Sequence, residues 1–97
     1  MTHGEIKTFT LHITGKVQGV WYRASAKDQA LALGLTGKIW NDVDNTVSAV
    51  VQGPEGKIMS FVTWCKKGPP LAKVEDVKYE ETPVDFKFES FEISRRP

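Results

Sequence analysis

Ninety-seven residues suffice for one domain of roughly 100 residues, so 1–97 is expected to be a single folding unit without separate cofactor and substrate domains. The 13 Lys and Arg against 12 Asp and Glu leave a formal charge of +1, which excludes both a basic surplus driving nucleic-acid binding and a disordered polyanion. With 40% hydrophobic residues the chain can build one compact core, although a domain this small buries a modest share of its surface and modest stability follows. Cys65 is the sole cysteine, which rules out an intramolecular disulfide and the thiolate clusters of zinc and most iron–sulfur sites. The start, Met1-Thr2-His3-Gly4-Glu5, has neither a basic region nor an apolar stretch, and no run of about eighteen apolar residues occurs. The expectation is a soluble cytoplasmic protein without membrane contact.

From Ile6 to Thr14, Phe9, Leu11 and Ile13 alternate with Thr10, His12 and Thr14, the period of a half-buried strand. Gly15-Lys16-Val17-Gln18-Gly19-Val20 follows as a glycine-punctuated loop. Tyr22, Ala26, Ala30 and Leu33 then fall on one helical stripe that stops at Gly34. Leu35 to Asn41 reads as a second strand, Asn41-Asp42-Val43-Asp44-Asn45 as a turn, and Val47 to Gln52 as its hairpin partner. After Gly53-Pro54-Glu55-Gly56, the apolar positions Ile58, Phe61, Val62 and Cys65 predict a second helix. Gly68-Pro69-Pro70 is a stiff connection, Val74 to Glu81 a strand, and Phe86 to Ser94 a last short strand with a parity change between Phe88 and Phe91. The order β-α-β-β-α-β plus a short C-terminal strand has too few helices to cover both faces of a sheet. It predicts an α+β, ferredoxin-like open sandwich with two helices on one face of a mostly antiparallel sheet.

The chemistry concentrates between the first strand and the first helix. Two glycines let successive N–H groups of Gly15, Lys16, Val17, Gln18, Gly19 and Val20 turn toward one point beside the positive end of a helix dipole, a concavity sized for phosphate. Arg23, in the first helical turn, can add a planar fork of donors to the same oxygens. A loop of this kind is by itself most often a plain connection, and it is neither a Walker loop nor a dinucleotide fingerprint.

Its order is specific, however. Gly15-x-Val17-Gln18-Gly19-Val20-x-Tyr22-Arg23, then Gly34-Leu35-x-Gly37-x-Ile39-x-Asn41, and later Gly68-Pro69-Pro70-x-Ala72-x-Val74 resemble the acylphosphatase family from Ile6 to Ile93. That resemblance implies hydrolysis of the carboxyl–phosphate anhydride of acyl phosphates, with no metal and no cofactor, on the same ferredoxin-like fold. It makes Gly15 to Val20 the phosphate cradle, Arg23 the phosphate-binding arginine and Asn41 the residue that holds the attacking water. The physics agrees with those roles: fixed N–H donors and a guanidinium suit the charge on three equatorial oxygens, and a carboxamide can accept from water while donating to phosphate. A carboxylate leaves without a general acid, and the chain has only His3 and His12 to offer one.

Two departures stand out. The family typically reads Gly-aromatic-Val-basic-Asn before the turn, whereas Gly37-Lys38-Ile39-Trp40-Asn41 exchanges the aromatic and basic residues while keeping both on one face, an exchange expected to bear on acyl-group contacts and the local field. Asp44-Asn45 stands where Asp-Gly is common, and Asn tolerates the left-handed conformation at a cost of about 1 kcal/mol.

Other residues receive blander readings. Gln18 is read either as a solvent-facing loop residue or as a brace for the cradle, Trp21 and Tyr22 as core or lid packing, His12 as structural and Cys65 as an inert buried thiol. Asp28, Asp42 and Asp44 are not read as metal ligands, since turn aspartates usually bond their own backbone. The scattered lysines, among them Lys16, Lys27, Lys66 and Lys67, serve solubility, and Phe86, Phe88 and Phe91 serve edge packing. Two other functions fit the fold: an RNA-recognition module, whose aromatic signature neither the first nor the third strand carries, and a carbamoyl-phosphate-handling regulatory module. The expected partner is a small acyl phosphate, with no nucleic acid, and the absence of a long apolar edge strand favours a monomer.

Overall fold

The computed structural model describes residues 5–83 and 87–95; Phe86, assigned above to the last strand, lies outside them. Five strands and two helices follow in the order β1 (Ile6–Lys16), α1 (Tyr22–Ala32), β2 (Thr36–Asn41), β3 (Val47–Pro54), α2 (Glu55–Lys67), β4 (Lys73–Thr82) and β5 (Phe91–Ile93). The sheet order is β4-β1-β3-β2-β5, antiparallel throughout except for the parallel edge pair β2–β5. This is the ferredoxin-like architecture expected from the element order, with the short terminal strand added to the β2 edge.

Strand parity sets the layers. Phe9, Leu11 and Ile13 of β1, Ile39 of β2, and Val47, Ala49 and Val51 of β3 face the helices and are all buried. They meet Tyr22, Ala26 and Ala30 of α1 and Ile58, Phe61, Val62 and Cys65 of α2, the stripes that the helical spacing predicts. Two alanines on the inner face let α1 approach the sheet closely, and Phe61, packed edge-on against Phe91 at 5.8 Å between centroids, fills the space beside it. The opposite parity, Thr10, His12, Trp40 and Ser48, lines the helix-free face.

Local signals end each helix. Behind α1, the N–H of Leu35 donates to the Ala30 carbonyl at 2.9 Å and that of Gly34 to Leu31 at 3.0 Å, the paired bonds of a Schellman cap. At the other end of the core, α2 has Glu55 in its first turn and Lys66 and Lys67 in its last, matching the helix dipole. The Cys65 carbonyl would find its helical donor four residues on, where Pro69 has no N–H. The buried Tyr22 hydroxyl donates to it instead at 2.7 Å, which ties the start of α1 to the end of α2.

Candidate active site

β1 runs two residues further than the alternation suggests, through Gly15 and Lys16, which pair with Val74 and Lys73 of β4 across a register shift after Thr14. That shift brings the backbones so close that a Cβ on Gly15, whose φ is 120°, would lie 2.2 Å from the Lys73 carbonyl oxygen. The chain then leaves the sheet through Val17 to Trp21. Val17 and Val20 are buried and anchor the loop in the core, whereas Gly19, with φ 72°, is exposed with open space around it.

Gln18 braces this loop. Its amide nitrogen donates to the Asp42 carbonyl at 2.9 Å and the Thr46 carbonyl at 2.8 Å, pinning the loop to the β2–β3 turn. The turn has its own support: Asn45 adopts φ 71°, as expected for an Asn in the usual Gly position, and its N–H donates to the Asp42 carbonyl at 3.3 Å. The Asp42 carboxylate accepts from the Trp40 indole at 3.1 Å and the Ser48 hydroxyl at 2.6 Å. Hydrogen bonds from Thr46 hold the Asp44 carboxyl below its ordinary pKa. Both aspartates are thus engaged locally, and among the described residues no group of three or more His, Cys, Asp or Glu side chains could hold a metal ion.

The loop delivers the chain to α1 in an unusual state. Trp21, the N-cap residue, has φ 66° and ψ 20°, a left-handed conformation that is rare for a bulky side chain. No side chain caps the helix and no acidic residue occupies its first turn. The N–H groups of Tyr22, Arg23 and Ala24 therefore have no intrahelical acceptor and meet no negative side chain in that turn.

These three residues line a cavity of about 360 Å³ together with Val17, Gly19, Trp21, Asn41 and Ile93. Asn41 reaches it from the last position of β2, on the same face as buried Ile39 and beneath the start of α1. Its Oδ1 is buried and has no hydrogen-bond partner among the described residues. The lining offers amide N–H groups, a guanidinium, a carboxamide and apolar surface, but no carboxylate. A wider groove of about 690 Å³ beside the α2–β4 connection includes Asp28, whose charge opposes an anion.

Of the residues selected from the sequence, Val17, Gly19, Arg23 and Asn41 meet at this cavity. Gly15 and Lys16 sit at the end of β1, Gln18 spends its side chain on the brace, and Val20 points into the core. Lys38 and Trp40 lie on the other side of β2, the Lys38 ammonium 5.2 Å from the centre of the Trp40 ring. The exchange of those two residues therefore falls on the helix-free face, away from the cavity that holds Asn41. Trp21, expected to pack in the core or as a lid, is instead 75% exposed in the cavity lining, and Ile93 joins that lining with no reading from the sequence. Trp21 stands within the motif, but Ile93 becomes a neighbour only through the parallel β2–β5 pairing, which no local pattern announces.

The family model for acylphosphatases matches residues 9–93, nearly the whole chain. The chain belongs to the acylphosphatase family. It is 44% identical over 82 residues to an acylphosphatase of Pelotomaculum thermopropionicum, covering 84% of this chain and 89% of that one. Among solved structures it resembles an acylphosphatase from Coxiella burnetii, with a TM-score of 0.89, 33% identity, and 97% and 100% of the two chains covered. It also resembles part of full-length HypF in a phosphate- and nucleotide-bound form, with a TM-score of 0.87 and 26% identity over 96% of this chain but 12% of HypF. Acylphosphatase-type hydrolase activity is the general function that this membership supports.

Proposed function

We propose that the cavity at the α1 N-terminus hydrolyses acyl phosphates without a metal ion, binding the phosphoryl group through the Val17–Val20 segment, the first-turn amides of α1 and Arg23, and positioning water with Asn41. The carrying observation is that Arg23, the uncapped start of α1 and the unpartnered Asn41 oxygen border one cavity that contains no carboxylate. A phosphoryl dianion meets positive partial charge and a guanidinium there, whereas a divalent cation would lack the carboxylate oxygens it prefers. Gly15 shapes the entry to the loop, and Lys16 supplies positive charge near it.

The substrate end is constrained by the same donor set. Asn41 Oδ1 accepts a hydrogen bond from water, and its nitrogen donates to a phosphoryl oxygen, which orients the water for in-line attack. The water oxygen forms a bond to phosphorus while the bond from phosphorus to the acyl oxygen breaks, its electron pair leaving on the carboxylate. The water's proton passes to a phosphoryl oxygen, so the products are a carboxylate and inorganic phosphate. Amides and the guanidinium are oriented before charge builds, which is where electrostatic stabilisation is strongest. The test is hydrolysis of acetyl, benzoyl and carbamoyl phosphate by the purified protein with a chelator present. Turnover with at least one of them under those conditions is expected, and activity that appears only when a divalent ion is restored would refute the metal-free reading.

A further inference from the structure

From the exposed indole at the cavity mouth, we infer that Trp21 is the acyl-recognition residue of this site, selecting aromatic acyl phosphates over acetyl phosphate. The inference rests on the proposed hydrolysis and adds the half of the substrate that the phosphate cradle does not specify. In-line attack puts the leaving carboxylate on the far side of phosphorus from the water. With water held by Asn41, on the sheet, the acyl substituent leaves toward the loop and the start of α1. Among the lining residues from that segment, Val17 and Tyr22 are each only 1% exposed and belong to the core, and Gly19 and Ala24 offer little or no side chain. Trp21 is 75% exposed, so its ring presents a broad apolar face to solvent. Ile93, the other exposed apolar residue of the lining, sits on β5 beside β2, on the water side.

The backbone adds a second observation. Trp21 holds φ 66°, a conformation costly for a large side chain, yet the ring recovers nothing by burial in the core. Trp21 thus stands in the cavity lining and outside the hydrophobic interior. A benzoyl ring packed against it would remove apolar surface from water on both partners, while an acetyl methyl would cover little of it.

The test compares Trp21→Ala, Trp21→Phe and wild type by steady-state kinetics with acetyl and benzoyl phosphate, and by calorimetric binding of inorganic phosphate and benzylphosphonate. Trp21→Ala is expected to lower kcat/KM for benzoyl phosphate about three- to tenfold, through KM, as for the loss of one aromatic contact. Acetyl phosphate turnover and phosphate binding are expected to stay within about twofold, with Trp21→Phe retaining most of the preference. Trp21→Gly, which suits φ 66°, removes the ring while relieving the backbone, and should reproduce the selective loss if the alanine variant folds poorly. Equal losses on both substrates in the alanine and glycine variants, or no loss on either, would overturn the assignment. Trp21-dependent binding of benzylphosphonate without hydrolysis of any acyl phosphate would uphold Trp21 as a recognition residue and refute the proposed reaction. Failure of both phosphate and benzylphosphonate to bind would refute both.

Discussion

Replacing Asn41 with alanine should lower activity sharply while leaving stability nearly unchanged. Its Oδ1 has no hydrogen-bond partner among the described residues, so the substitution breaks no bond of that oxygen within them. The lost side-chain packing lies at an open cavity rather than in a sealed core, so the void left behind is accessible to water. The net change should fall within about 1 kcal/mol of zero, or at most a shift of roughly 4–8 °C in Tm for a domain of this size. Loss of the water-orienting carboxamide should lower kcat by about 10²–10³-fold, the range for removal of one preorganised polar group from a reacting centre. Inorganic phosphate binding, carried mainly by the amides and Arg23, should weaken by about tenfold for the loss of the one donor that Asn41 gives a phosphoryl oxygen. Thermal unfolding, isothermal titration with phosphate and initial rates on acetyl phosphate measure the three quantities. A variant that loses several degrees in Tm while keeping most of its turnover would show that Asn41 serves the fold, and the proposed mechanism would fail.

Arg23→Ala should weaken phosphate binding by about one to two orders of magnitude, and Arg23→Lys should recover only part of it because an ammonium cannot form the bidentate pair; titration calorimetry reads both. Gly15→Ala should unfold the domain or lower its stability by more than about 3 kcal/mol, since the new Cβ would fall 2.2 Å from a backbone oxygen, whereas Gly19→Ala, which meets open space, should lose only about 1–2 kcal/mol for its positive φ; urea midpoints separate the two. Tyr22→Phe should lower stability by about 1–3 kcal/mol by leaving the Cys65 carbonyl without the donor that Pro69 cannot supply, again read from urea midpoints. Burial pushes the Cys65 thiol from 9.0 up to about 12, and burial likewise raises the Tyr22 phenol. Both groups hold their protons longer in the folded state, so their contribution is complete below about pH 9 and falls as pH climbs toward 12. Denaturant midpoints between pH 7.5 and 10.5 should decline more steeply for wild type than for Cys65→Ala, and parallel slopes would contradict the assignment.

The sequence alone determined the elements and the chemical character of the site because both are encoded at short range. Alternation along Phe9, Leu11 and Ile13, helical spacing at Ile58, Phe61, Val62 and Cys65, and the stop at Gly34 are local responses to backbone geometry, and the structure follows them. The loop motif ending in Arg23 and the turn following Asn41 are likewise contiguous stretches. What tertiary structure decided is which face each group meets and which distant groups share a cavity. Strand parity with the sheet packed on one side put Asn41 under α1 and sent Lys38 and Trp40 to the open face. Gly15 and Lys16 joined β1 because β4 lay alongside to pair with them, and Ile93 reached the cavity only through its parallel partner β2. The Tyr22 bond to Cys65 and the Gln18 brace join residues that are close only once the sheet has formed. The local pattern says which side of a strand is apolar, but pairing between distant strands sets what that side touches, and that pairing makes a cavity from separate segments.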